Sequence, residues 1–141
     1  MINLLIPTLT GIELIRYAIS HNRELINVDK QITGSFSKHG VKFSVLYITV
    51  AAPVVEELGF RVVPWFMTHS LLLVGLLTFV WWVIHVSNFK YVSINARVKA
   101  LYIAAIGLGG ISYVIALLIN PLLPIILHVV NNSYSIALTK K

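Results

Sequence analysis

The apolar residues of this chain are gathered into long stretches separated by short polar ones. Four stretches, residues 43–66, 70–88, 98–119 and 121–138, are each close to the ~20 residues that a helix needs to cross a bilayer. A helix is the only open-ended structure that satisfies every backbone polar group in hydrocarbon. The pattern therefore predicts an all-α fold, a polytopic membrane bundle with four core transmembrane helices.

The residues before this core have a mixed pattern. Residues 2–19 are apolar but are interrupted by Pro7, Glu13 and Arg16, which is typical of a marginal spanning helix or of one that lies in the interface. The missing basic n-region argues against a cleaved signal peptide. Residues 21–42 are polar and predict an exposed loop or a short interfacial helix.

Composition supports a membrane protein. With 57% hydrophobic and 11% charged residues and a mean hydropathy of +0.85, the chain is too apolar for a water-soluble domain of 141 residues. It has room for a single membrane domain over residues 1–141, with a catalytic core at about 43–138 and an N-terminal helix and basic loop at 1–42. The absence of cysteine excludes disulfides, thiol nucleophiles and cysteine-based metal sites.

The formal net charge of +6 comes from lysines and arginines that lie between the apolar stretches. They form no basic face with interleaved aromatics, so nucleic acid is not an expected partner. Their distribution predicts a multi-pass protein of the cell membrane. The basic loops 21–42 and 89–99 and the C-terminus would be cytoplasmic, with the hairpin turns near 67–69 and 119–121 outside.

Ionisable residues inside the apolar stretches are candidates for a functional site, since each costs several kcal/mol in hydrocarbon unless it is paired or lines a cavity. Glu57 and Arg61 are four residues apart on one helix and are natural ion-pair partners. That pairing would leave Glu56 free to act as a general base. The alternative is a buried charge network in which both carboxylates share Arg61.

His85 is predicted to lie at a similar depth to Glu56. With a turn near 67–69, Glu56 lies roughly 18 Å and His85 roughly 24 Å from it at 1.5 Å per residue, so the two can meet across the hairpin. Taken alone, His85 is typical of a hydrogen-bonded packing residue.

His128 and Asn132 are four residues apart, so their side chains share a helical face, with Asn131 to one side. Both can donate hydrogen bonds, which would suit stabilisation of an oxyanion. They could equally hold helices together, as imidazoles and amides do in membranes.

Two other chemistries are less favoured. Glu, His and His can form a catalytic zinc site, but the local HExxH pattern is absent and asparagine is a poor zinc ligand. We therefore expect no metal and no organic cofactor. No GxSxG surrounds any serine, which disfavours a serine nucleophile.

The polar residues resemble the motifs of the CPBP intramembrane proteases, also called the CAAX protease and bacteriocin-processing, or Abi, family. The resemblance covers about residues 50–135. The three motifs appear in the family's order as Glu56 to Arg61, Trp81 to His85 and His128 to Asn132. Trp81 stands where the family usually has phenylalanine, which would keep an apolar aromatic wall, and Val62 stands where a glycine often follows the arginine.

The resemblance implies a glutamic-type intramembrane endopeptidase. Glu56 would activate the attacking water with His85 as its partner, His128 and Asn132 would form the oxyanion hole, and Glu57 and Arg61 would support the site. The substrate would be a peptide or membrane protein, in bacteriocin maturation, self-immunity or CAAX-type processing. Family members usually have more helices before the core, so a second copy could complete the substrate entrance, which would make a homo-oligomer.

Two further hypotheses stay open at this point. A non-enzymatic membrane immunity or scaffold protein could hold a peptide or partner helices with the same polar groups. A small proton-relay or transporter component would also place Glu and His in the membrane.

Overall fold

The computed structural model describes residues 2–38, 44–87 and 94–139, and every regular element among them is helical. The helices are α1 (Ile2–Ser20), α2 (Arg23–Lys38), α3 (residues 44–68), α4 (Leu71–Val86), α5 (Ala96–Ile119) and α6 (Leu123–Thr139). The predicted all-α fold is confirmed. In this part of the chain, α1 and α5 are long and apolar enough to cross a membrane, and α4 is apolar but shorter.

Both predicted hairpin turns are present. Helix α3 ends at Thr68, and His69 adopts a left-handed conformation with φ 49° before Ser70 caps α4 by accepting from Leu73 N at 3.3 Å. The second turn follows Asn120, whose side chain accepts a 2.9 Å hydrogen bond from Leu122 N. Each turn thus satisfies backbone donors at a helix start through a short polar side chain.

The basic segment 89–99 contains more helix than the loop prediction implies. Arg97 and Lys99 were expected in a loop at 89–99, but they lie in the first turn of α5, because Asn95 caps this helix by accepting from Val98 N at 2.9 Å. Residues 89–93 of that predicted loop lie outside the described residues.

Helix α2 occupies most of the other basic segment, 21–42, and is amphipathic. Leu25, Val28 and Ile32, spaced three and four residues apart, are buried against Val98 of α5. This spacing places the three side chains on one helical face, so α2 packs against the bundle with its polar face outward.

Helix α5 is the centre of the bundle. It packs against α1, α4 and α6, while α3 packs against α6. Small buried residues on α5 allow this close approach: a Cβ on Gly109 would lie 3.0 Å from Arg16 of α1, and one on Gly110 would lie 3.0 Å from Thr78 of α4. Helix α1 is therefore part of the bundle.

The outward face of α4 is apolar. Leu72, Leu76, Phe79 and Val83 follow one another at helical spacing and are between 47% and 75% exposed. The opposite face carries the buried Val74 and Trp81. Soluble proteins usually place polar residues on such an exposed face.

Candidate active site

The carboxylates lie in an irregular helix. Helix α3 widens into a π-type turn over Tyr47–Ala51 and again over Leu58–Val62, and each wide turn is followed two residues later by a proline, Pro53 or Pro64. Proline lacks a backbone donor and clashes with the carbonyl four residues before it, and a widened turn is one way to accommodate it. Glu56 and Glu57 lie between the two wide turns, and such turns are frequent at functional sites.

Glu57, Arg61 and His128 form a buried network. Arg61 Nη1 donates to Glu57 Oε1 at 2.6 Å, and His128 Nδ1 lies 2.8 Å from the same oxygen. The side chains of Glu57 and Arg61 are 0% exposed. The ion pair predicted from the four-residue spacing is confirmed, and it also joins α3 to α6.

The rest of the Arg61 guanidinium faces aromatic rings. Its Nε and Nη2 have no hydrogen-bond partner within the described residues, but its Cζ lies 4.6 Å from the ring centroid of Trp81 and 5.2 Å from that of Tyr113. The electron-rich faces of these rings attract the cation and offset part of its desolvation.

Glu56 points away from Glu57, toward both histidines. Its Oε2 lies 3.6 Å from His85 Nε2 and 3.9 Å from His128 Nε2, and it accepts a 2.6 Å hydrogen bond from Trp81 Nε1. The side chains of Glu56 and His85 are about a quarter exposed, whereas His128 is buried. The three predicted groups from α3, α4 and α6 are therefore brought together.

Backbone and ring contacts orient the two imidazoles. His85 Nδ1 lies 2.9 Å from Trp81 O, which leaves Nε2 toward Glu56. His128 stacks on Tyr113 with ring centroids 4.8 Å apart, and its Nδ1 faces the Glu57 carboxylate. Because a carboxylate and a carbonyl only accept, both Nδ1 atoms carry hydrogen and both Nε2 atoms face the site.

Asn132 lies on the same face of α6 as His128. Its Nδ2 donates to Ile48 O in the first wide turn of α3 at 2.9 Å. An amide nitrogen has two donors, so this bond fixes the side chain and leaves one donor for a ligand. The neighbouring Asn131 is directed to another cluster, where its Nδ2 donates to Tyr113 Oη at 3.2 Å.

A cavity of about 780 Å³ adjoins this constellation. His85, His128 and Asn132 line it together with Trp81, and Glu56 lies behind Trp81 and His85. Helix α1 supplies much of the opposite wall, through residues that include Leu9, Thr10, Glu13, Leu14, Arg16, Tyr17 and Ser20. A volume of this size is in the usual range for small-ligand sites.

Sequence reasoning missed two features of the site. One is the indole donor of Trp81, which was expected to act only as an apolar wall. The other is the role of α1: Arg16 Nη1 pairs with Glu13 at 3.0 Å, and Asn131 Nδ2 lies 3.4 Å from Glu13 Oε2. The three-residue spacing of Glu13 and Arg16 could have indicated this ion pair.

Among the residues that the structure describes, no group of three or more His, Asp and Glu side chains has an arrangement that could hold a metal ion. No family model matches the chain, and neither a curated protein nor a solved structure does.

Proposed function

We propose that this chain is a multi-pass membrane endopeptidase that hydrolyses a peptide bond at or within the bilayer. The observation that carries the proposal is the convergence of Glu56 Oε2 on His85 Nε2 at 3.6 Å and on His128 Nε2 at 3.9 Å, beside a large cavity. These three residues belong to the three CPBP-like motifs, and successive ones are 29 and 43 positions apart along the chain.

The bilayer location is supported by the surfaces of the helices. Helices α1 and α5 are long enough to span, and α4 presents exposed leucine and aromatic side chains at helical spacing. With the apolar α3 and α6 as further spans, the four-helix core and α1 form one membrane unit. The basic segments and the C-terminus then face the cytoplasm.

The geometry suits activation of a water molecule. Trp81 holds Glu56 Oε2, and the same oxygen lies 3.6 Å from Nε2 of His85, whose side chain is about a quarter exposed. A water between these two groups would give a proton to the carboxylate as its oxygen attacks the peptide carbonyl. His85 would then take part in transferring that proton to the leaving amine.

The His128–Asn132 face of α6 suits stabilisation of the oxyanion. Asn132 has one amide donor left after its bond to Ile48 O, and His128, whose Nδ1 faces Glu57, would supply the second donor from Nε2. Glu57 therefore acts through His128. No metal or organic cofactor takes part in this scheme.

The partners implied are the lipid bilayer and a peptide or membrane-protein substrate. We propose a role in bacteriocin maturation or self-immunity, or in CAAX-type processing. Helix α1 occupies one side of the cavity, where a second copy of the chain would otherwise be needed to close it, so a homo-oligomer is not required for a complete site.

A second function is supported by one specific observation. Asn132, Glu57, Arg61 and His128 all make contacts between or within helices of this chain. Polar groups used in this way are typical of helix association, so a non-enzymatic immunity or scaffold protein that binds a peptide or partner helices in the cavity is the alternative.

The deciding experiment is incubation of the purified protein, in liposomes, with a library of membrane-embedded peptides and detection of products by mass spectrometry. Glu56→Gln should abolish cleavage without unfolding the protein. Glu24→Gln is the matched control, because Glu24 is exposed on α2 and away from the site. Cleavage by Glu56→Gln at the wild-type rate would exclude the proposed role, and the absence of any product would favour the binding protein.

Adding a chelator to the same assay distinguishes the proposed mechanism from a zinc-dependent one. The proposed mechanism predicts that cleavage continues unchanged in EDTA or phenanthroline. Loss of activity that is restored by zinc would mean that Glu56, His85 and His128 act as metal ligands instead.

A further inference from the structure

The cavity extends well beyond the candidate catalytic groups. From His128 it follows one face of α6 through Asn131 and Asn132 to Ser135, all of which line it. Ser135 lies seven positions after His128, which is roughly 10 Å along the axis at 1.5 Å per residue. An extended peptide advances about 3.3 Å per residue, so this distance corresponds to about three substrate residues.

The far end of the cavity contains a carboxylate that the proposed mechanism does not use. Asp29 of α2 lines the cavity there and accepts a hydrogen bond from Ser135 Oγ. Within the described residues Asp29 forms no ion pair, and its hydrogen-bond partner is a neutral hydroxyl. Burial raises the pKa of Asp29, as expected for a carboxyl group without a compensating cation.

The other charged groups of the cavity wall are already paired. Arg16 donates to both carboxylate oxygens of Glu13, at 3.0 and 3.2 Å, so this pair contributes little net charge. Arg61, which does not line the cavity, is bound to Glu57. Among the described lining residues, the carboxyl group without a paired cation therefore lies at the Asp29 end of the cavity.

We propose that Asp29 and Ser135 form a subsite for a basic side chain, Lys or Arg, of the substrate, about three residues from the bond to be cleaved. The distance of about three residues from the scissile bond rests on the proposed function, because it is counted from the candidate catalytic groups. The remaining lining is largely apolar, with Ile32, Ile48, Ile106 and Leu127 among its residues, so the segment between the basic residue and the scissile bond is apolar.

The location of the subsite agrees with the membrane topology. Helix α2 lies in the basic segment proposed to be cytoplasmic, and transmembrane segments in general carry Lys and Arg at their cytoplasmic flank. The substrate class that fits is therefore a membrane-embedded peptide with a basic residue at the cytoplasmic end of an apolar segment.

The test compares binding of two labelled peptides that differ only in a Lys or a Gln at the third residue from the cleavage site. Binding is measured with Glu56→Gln, so that the result does not depend on turnover. The Lys peptide should bind at least tenfold more tightly, and adding Asp29→Asn should reduce this ratio to about one. Glu24→Gln, on the same helix, should leave the ratio unchanged.

Two outcomes would overturn the subsite. One is equal binding of Lys and Gln peptides at every position from the second to the fourth residue on either side of the bond, and the other is a preference that survives Asp29→Asn. The proposed function fails separately, if wild-type protein cleaves no peptide. Because the peptide comparison needs no substitution at Asp29, a misfolded Asp29→Asn variant would not remove the test.

Discussion

Trp81 donates a 2.6 Å hydrogen bond from its indole nitrogen to Glu56 Oε2, and this bond connects α4 to α3 at the candidate general base. The same ring contacts Arg61 and His85, with a centroid distance of 4.2 Å to the His85 ring. Trp81 is thus a positioning residue: it holds the carboxylate and one histidine in their relative orientation.

Trp81→Phe keeps the aromatic ring and removes the hydrogen bond. A hydrogen bond to a charged group contributes about 1.5–3 kcal/mol, and each ~1.4 kcal/mol corresponds to a tenfold change in rate. We expect kcat to fall by about one to two orders of magnitude with little change in KM, measured on a cleaved membrane peptide.

The control for this substitution is Trp82→Phe. Trp82 is the next residue and also donates a hydrogen bond between helices, to Ile103 O at 3.2 Å, but away from Glu56. The Trp82→Phe variant should lose some thermal stability and keep the kcat of the wild type. Equal losses of kcat in the two variants would show that the Trp81 bond serves only the packing of the helices.

The buried ion pair should behave as a unit in unfolding experiments. Arg61→Met leaves Glu57 buried without its cation, and breaking a buried pair in this way costs about 3–5 kcal/mol. Because Glu57→Gln then removes the uncompensated charge, the double variant should be more stable than Arg61→Met alone. Reversible unfolding in mixed micelles measures the free energy of unfolding of the wild type, the two single variants and the double variant. If the losses of the single variants add up in the double variant, the two residues are not coupled.

Several elements could be predicted from the sequence because they depend on local rules. The turns at His69 and Asn120, the Glu57–Arg61 pair and the shared face of His128 and Asn132 all follow from apolar run length or from helical spacing. The convergence of α3, α4 and α6 near Glu56 was expected only from depth along the helices and from the resemblance.

Other features could not be predicted because they depend on how helices pack. The position of α1 along α5 depends on the room that Gly109 leaves for Arg16, which no local pattern shows. The Trp81 bond depends on the rotation of α4 relative to α3, and Asp29 is brought to the cavity by the apolar face of α2. Each of these is a tertiary contact.

Gly109→Ala tests the docking of α1. The new Cβ would lie 3.0 Å from Arg16 Nη2 and 3.1 Å from its Cζ, so the guanidinium and its pairing with Glu13 must shift by a few tenths of an ångström. Overpacking of this kind costs about 1–3 kcal/mol, and we expect lower thermal stability together with faster proteolysis of the N-terminal helix.

Gly11→Ala is the matched control on α1 itself. A Cβ there has nothing within 4 Å, and alanine is the better helix former by about 1 kcal/mol. This variant should be at least as stable as the wild type. If Gly109→Ala were as stable as Gly11→Ala, the close packing of α1 on α5 would not be a determinant of stability.

Asp29 should make stability depend on pH. It lies in α2, outside the apolar segments, and burial raises its pKa above the ordinary value of 3.8. The folded state therefore binds this proton more tightly than the unfolded state. The resulting contribution to stability is fully present below the unfolded value and is lost as the pH rises through the folded value.

Asp29→Asn carries no proton to lose, and its amide oxygen can still accept from Ser135. The variant should therefore be more stable than the wild type at neutral pH, and the difference should shrink as the pH falls toward 3.8. Thermal unfolding of both proteins over a pH series from about 8 to about 4 measures this difference, in which the titration of all other groups largely cancels. A difference that stays constant, or that grows on acidification, would show that Asp29 is not the partly buried, unpaired carboxyl that the cavity geometry indicates.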